Sequence, residues 1–283
     1  MAGFANIGEY IDAHINGQTS FCSFRKVPAN ATVANWWVDL SMAAGNPQPN
    51  YYAAAPTEAA VLTGTKGIFH GYNQSPKHKY LSHMCLQTPT AGLVGQYMLL
   101  DYLLYYAFID GDSSGVQTMD NTTVLPRYTD GAGVQAMYVC VAVTVGGGSF
   151  TFDYINQDGN SRTSDVHFYT PTSTGINSIL TSQPAGVAGF GPFLRLNAGD
   201  TGIRSITSIT NLVVNGGLGT IVLVQPIADM AIREINTPAE FSFVDQRGPS
   251  ARIYDGAYLN LIMNCAASVS AGTLTGFGQF VWG

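Results

Sequence analysis

From Val33 onward the apolar residues fall in short runs separated by clusters of Gly, Pro, Asn and Asp, the pattern of strands joined by tight turns. The longest run, Tyr97–Ile109, is apolar on both alternating faces: Tyr97, Leu99, Leu103, Tyr105 and Ile109 on one, Met98, Leu100, Tyr102, Leu104 and Phe108 on the other. A strand of this kind must be covered twice. One cover is expected from the opposite sheet of a sandwich, the other from a loop, a helix or another subunit. Near the C-terminus Ala257, Leu259, Leu261, Met263 and Cys265 alternate with Tyr258, Asn260, Ile262 and Asn264, and the first set is predicted to face the core. Met137–Val145 and Ser149–Ile155 flank Gly146-Gly147-Gly148, which predicts a hairpin because glycine supplies the positive φ of a tight turn. Asn156–Asn160 turns the chain again toward Val166–Tyr169. Later runs at Phe193–Asn197, Ser208–Val214, Thr220–Val224, Phe241–Val244 and Phe277–Trp282 complete an all-β chain, a β-sandwich or jelly roll. No repeat of fixed period is visible, which argues against a propeller or solenoid.

The start of the chain has a different period. Ile7, Tyr10, Ile11 and His14 share one face of a helix. Gly17 would stop that helix, and nine or so residues need a surface to lie against. Residues 1–29 are therefore expected to form a short N-terminal arm, and residues 30–283 the sandwich domain. Within that domain Trp36-Trp37-Val38 opens an apolar run that ends at Gly45-Asn46-Pro47-Gln48-Pro49-Asn50, where two prolines preclude regular pairing. An irregular loop region follows, from about 45 to 90, through Tyr51-Tyr52.

Composition sharpens this picture. Asp, Glu, Lys and Arg make up 11% of 283 residues, against about 25% in an ordinary soluble domain. Gly, Ser, Thr, Asn and Tyr replace them, giving a surface suited to contact with neighbouring subunits. The net charge is −6, and the basic residues are scattered apart from Arg25-Lys26 and Lys77-His78-Lys79, so nucleic acid is excluded as a partner. No basic leader with an apolar core opens the chain. Ala91–Ile109 is apolar enough to resemble a membrane span, but Asp101 at its centre would cost about 2.5–3.5 kcal/mol there, so no membrane is expected.

Candidate chemistry is sparse. Cys22, Cys85, Cys140 and Cys265 are widely spaced with no CxxC pair, so they are read as buried thiols of a protein that matures in a reducing cytosol. Asp110-Gly111-Asp112-Ser113-Ser114-Gly115 has the opening of a calcium loop, but Asn121 stands where an EF-hand needs Glu, so it is read as a turn. Of the five histidines only His78 and His83 lie close in sequence, and a separation of five does not place both on one face. No metal or other cofactor is expected. Nucleophilic and glycosidase chemistry are permitted by composition, yet no carboxylate is marked by its surroundings. Asp39, Asp101, Asp153 and Asp255 lie in or beside strands and are expected to make strand-edge or turn hydrogen bonds. The sequon-like Asn30-Ala31-Thr32 and Asn121-Thr122-Thr123 mean little without export. The chain is read as a non-enzyme.

Three runs carry a resemblance: Leu99-Leu100-Asp101-Tyr102-Leu103-Leu104-Tyr105-Tyr106-Ala107-Phe108-Ile109-Asp110, Leu125-Pro126-Arg127-Tyr128-Thr129-Asp130-Gly131, and Arg252-Ile253-Tyr254-Asp255-Gly256-Ala257-Tyr258-Leu259. In these the chain resembles structural or minor capsid proteins of tailed-bacteriophage virions. The resemblance implies a β-sandwich that decorates or cements the head, bound to the major capsid protein as a homo-oligomer, with a trimer favoured. It places the protein in the virion, assembled in the host cytoplasm. Contact residues are then expected among the apolar and aromatic side chains of the arm and the loops: Ile7, Tyr10, Ile11, Trp36, Trp37, Tyr51 and Tyr52. The alternative is a carbohydrate- or receptor-binding protein of the virion surface or tail, which would use the loop Gly45–Pro89 and its aromatics.

Overall fold

The two-faced strand predicted at 97–109 runs as Gly95–Asp110 through the middle of the molecule, in a computed structural model that describes residues 3–28, 34–170, 175–180, 191–242, 252–268 and 271–283. It lies in a central antiparallel sheet ordered Trp37–Asp39, Leu259–Cys265, Gly95–Asp110, Leu218–Ile232, Gln135–Ala142. Ala59–Val61 continues the pairing where Leu259–Cys265 ends, opposite Leu104–Tyr106. Two further antiparallel sheets flank it. One contains Ala239–Ser242, Lys79–Gln87, Leu274–Trp282, Thr19–Val27 and Ala44–Asn46, with Arg252–Ile253 also paired to Lys79–Gln87. The other contains Ser161–Thr163, Ser149–Asn156, Ile203–Val213 and Val116–Thr118, with His167–Phe168 on Ser149–Asn156.

The long strand serves three cores. Tyr97 and Leu99 pack with Phe24, Leu81, Met84, Leu86 and Phe280 of the first flanking sheet. Leu103, Leu104, Tyr106 and Ile109 pack with Phe150, Phe152, Tyr154, Ile206 and Ile209 of the second. Register shifts between Leu223 and Val224 and between Pro226 and Ala228 of its neighbour rephase the alternation, so both flanking sheets share one face of the central sheet. The opposite face carries Leu100, Tyr102, Tyr105, Val222, Val224 and Ile262, and it is covered by Met42, Tyr52, Leu62 and Ile179 from loops of the same chain. The second cover is thus intramolecular. The register read at the C-terminus is observed: Ala257, Leu259, Leu261 and Met263 share the first core, while Tyr258 and Ile262 are buried on the reverse face.

Several expectations change. Residues 6–15 do form a helix, Ile7–Ile15, capped by Asn6, whose side chain accepts from the Glu9 amide. The remainder of the expected arm does not stand apart, because Thr19–Val27 pairs with Leu274–Trp282 on one side and Ala44–Asn46 on the other. The loop region 45–90 contains the nine-residue strand Lys79–Gln87. Gly146-Gly147-Gly148 adopts positive φ but makes no hairpin: the strand before it pairs with Leu218–Ile232, and the strand after it belongs to another sheet. The glycines carry the chain across, and a Cβ on Gly148 would lie 2.6 Å from the Val213 carbonyl. Phe193–Asn197 is not a strand, although Leu194 donates to Ala136. Asn30-Ala31-Thr32, the 29/30 boundary and the end of Phe241–Val244 lie outside the described residues.

Candidate functional site

The three runs that carry the resemblance converge on one buried ion pair. Asp101, at the middle of the long strand, receives both arms of Arg127: Nε to Oδ2 at 2.8 Å and an Nη to Oδ1 at 2.7 Å. Arg127 also donates to the carbonyls of Gly256 and Tyr102, and Asp101 accepts from the Tyr258 amide at 3.1 Å. Burial pushes the Asp101 carboxyl up, and the guanidinium pulls the other way. The sequence marked Asp101 only as a strand residue. Its partner lies 26 positions away, beyond any local pattern.

A second buried carboxylate organises the loops on the reverse face. Asp39 accepts from Tyr52 at 2.5 Å, Tyr102 at 2.7 Å, and the amide and hydroxyl of Ser41 at 2.8 and 2.7 Å. Burial raises its carboxyl above the ordinary range despite these donors. Lys26, also fully buried, donates to the carbonyls of Ala43 and Pro47, and burial lowers its ammonium to about 8. These contacts pin the chain on both sides of Asn46–Asn50, and Asn50 itself donates to the Ser41 carbonyl.

A third cluster fixes residues 69–75. Lys79 donates to the Tyr72 carbonyl at 2.9 Å and lies 3.1 Å from His70 Nδ1 and 3.8 Å from Asp255. The His70 Nε2 faces the Ala257 carbonyl at 3.0 Å. A carbonyl only accepts, so Nε2 carries the proton and Nδ1 receives from Lys79. Burial and the neighbouring ammonium lower His70 to about 4, so the ring is neutral. Asp255 in turn accepts from the amides of Gln74 and Ser75.

Between these anchors the surface is grooved. A cavity of about 260 Å³ is lined by Asn50, Tyr51, Thr63, Lys66, Tyr105 and Tyr258 among others. A larger depression of about 730 Å³ shares its Val61–Thr63 wall and is lined further by Phe69, His70, Tyr72 and Arg127. A third, of about 430 Å³, shares Pro49 and Lys66 with the first and Phe69 with the second. No Asp or Glu lines any of the three. Among the described residues no group of three His, Cys, Asp or Glu side chains is arranged to hold a metal ion. The Asp110–Gly115 segment is a turn in which Asp112 donates to the Asp110 side chain.

The residues expected at a contact surface divide into two groups. Trp36, Trp37 and Tyr52 are buried inside the chain's own fold and offer no surface; Trp37 and Tyr52 belong to the core on the reverse face of the central sheet. Tyr51 stands exposed at the groove, next to the buried Tyr52. On the N-terminal helix, Tyr10 and His14 turn inward, with the Tyr10 hydroxyl 2.6 Å from that of Ser82 and His14 beside Ser82 and Gln279. Ile7 and Ile11, joined by Ile15, face outward at 58%, 49% and 75% exposure. Cys22, Cys85 and Cys140 are free thiols, and burial pushes Cys22 up to about 11. No described helix is long and apolar enough to cross a membrane.

No family model matches the chain. No curated protein matches it either. A solved structure of infectious bursal disease virus Gt strain aligns over 94% of this chain and 81% of that one, at 9% identity and a TM-score of 0.15. A likeness that slight carries no argument about fold or function.

Proposed function

We propose that the chain is a non-enzymatic virion protein that binds and stabilises the head surface, seated on the major capsid protein as a homo-oligomer, a trimer. The observation that carries this reading is the isoleucine stripe of the N-terminal helix. Ile7, Ile11 and Ile15 recur at i, i+4 and i+8, yet the helix is held to its own sheet by Tyr10, Ala13 and His14. Isoleucines in solvent gain nothing there, and each buried in an interface contributes about 1.5–3 kcal/mol. The exposed, stacked pair Phe21 and Phe277 on the nearby sheet, with centroids 5.7 Å apart, extends the apolar surface. The low charge of the chain supports the same reading, because shape and apolar contact need few ions. Several copies around a symmetry axis multiply weak contacts.

The test is to mix purified protein with undecorated heads and image the product, with mass in solution giving the copy number. The Ile7→Ser, Ile11→Ser double variant is expected to fold normally and to lose head binding by tenfold or more. Equal binding by the variant, or a wild-type chain that ignores heads, would refute the proposal.

A further inference from the structure

The chain leaves a second apolar surface, on the flanking sheet that does not carry the N-terminal helix. Leu212, Val213 and Val214 follow one another at the end of the strand Ile203–Val213, and all three are exposed. Regular alternation would hide every second residue, but a register shift between Asn211 and Val213 breaks it there. The chain crossing at Gly146-Gly147-Gly148 adds to this surface. Val145 donates its amide to the Asn215 carbonyl, and its side chain lies 3.0 Å from the point where a Cβ on Gly216 would sit. A Cβ on Gly217 would lie 2.5 Å from the Val143 carbonyl. Across the sheet Ser149 pairs with Val213 on one side and Phe168 on the other, so Val213 and Phe168 share a face. Val143, Val145, Leu212, Val213, Val214 and Phe168 thus form one patch, each between 44% and 71% exposed.

Consecutive apolar residues in solvent stabilise nothing within the chain and mark a contact. At about 1.45 Å² per dalton of unfolded residue, the six expose roughly 500 Å². A standard interface takes about 800 Å² from each partner, about 60% of it apolar, so the patch matches the apolar part of one such interface. Its chemistry selects the occupant. All six side chains are uncharged, so the patch is complementary to itself and meets its own copies about a symmetry axis without repulsion. Asp112 stands 3.7 Å from that same Gly216 Cβ position, which disfavours an anionic lipid surface. The isoleucine stripe lies on the helix packed against the other flanking sheet. One surface can therefore face the head while the other joins copies.

We infer that this patch is the contact between copies of the chain, meeting itself at the axis of the homo-oligomer. The inference rests on the reading of the chain as a trimer and assigns the surface that builds it.

The test is the mass of the full-length protein in solution, measured by light scattering at micromolar concentration. The wild type is expected to be about three times as heavy as the Val145→Lys, Val213→Lys variant, because each lysine would face its own copies across the axis. The melting temperature of the wild type should rise with protein concentration and that of the variant should not. Should the lysine variant fail to fold, Val145→Ser, Val213→Ser is expected to lower the mass in the same way. Tyr72→Lys, at an exposed position on the loops, is expected to leave the mass unchanged. A folded patch variant that keeps the wild-type mass overturns this interface and leaves the trimer itself standing. An equal loss of mass in Tyr72→Lys overturns it too, since the effect would not belong to the patch. A wild type that is monomeric in solution overturns both the interface and the trimer, whereas head binding is scored separately by the isoleucine variants.

Discussion

The Tyr52 hydroxyl donates a 2.5 Å hydrogen bond to the buried Asp39 carboxylate, and that contact separates two adjacent tyrosines into one that anchors and one that faces solvent. Asp39 keeps three other donors when the phenol is removed, so Tyr52→Phe should weaken the fold without abolishing it. A hydrogen bond to a charged group contributes about 1.5–3 kcal/mol. Thermal unfolding of Tyr52→Phe should show a fall of several degrees. An unchanged midpoint would mean that Asp39 draws its support from Tyr102 and Ser41 alone.

Asp101 and Arg127 form a buried bidentate pair, so removing one partner strands the other. Arg127→Leu is expected to cost about 3–5 kcal/mol in denaturant unfolding. The double replacement Asp101→Leu, Arg127→Leu should recover most of that loss, because two apolar side chains in the same space need no mutual compensation. A double variant as unstable as the single one would show that the carbonyls of Gly256 and Tyr102 and the amide of Tyr258 depend on the ions.

His70 and His167 are both lowered to about 4, chiefly by burial. In the unfolded chain each takes up a proton as pH falls through about 6.5, while the folded chain resists until about 4. Their contribution to stability is therefore complete above pH 6.5 and is lost progressively between 6.5 and 4, by up to roughly 3 kcal/mol each. Urea midpoints measured across that range should fall with acidity in the wild type. His70→Asn, His167→Asn should flatten the curve, and an identical slope in both proteins would contradict the assignment.

Gly276 lies opposite Phe24 in the sheet that joins Thr19–Val27 to Leu274–Trp282, and a Cβ there would enter the Phe24 ring. Gly276→Ala should destabilise by about 1–3 kcal/mol through overpacking. Phe24→Leu in the same protein should relieve part of that cost, measured as a shift in melting temperature. Additive losses in the pair would place the strain elsewhere.

The long strand was legible because thirteen residues of nearly unbroken apolarity admit few other readings. The C-terminal register was legible for the related reason that alternation survives where no bulge interrupts it. The strand Thr19–Val27 was not, because its pattern is inverted at both ends: Phe21 faces outward, while Lys26 is fully buried and bonded to two carbonyls. Lys79 hides the start of Lys79–Gln87 in the same way. At Gly146–Gly148 the turn chemistry was read correctly and the partner was not, since local φ preference says nothing of which sheet receives the chain. Of the site, Tyr51 was legible from its type, whereas the Asp101–Arg127 pair joins residues 26 positions apart and emerges only in three dimensions.

The strands Gly95–Asp110 and Leu218–Ile232 each pass beneath both flanking sheets. At about 50 Å apiece they act as a common spine. Neither half of the molecule can melt without unzipping a ladder that the other half requires. Calorimetry should then record a single transition, and a gene cut between the halves should yield two fragments that fail to fold apart.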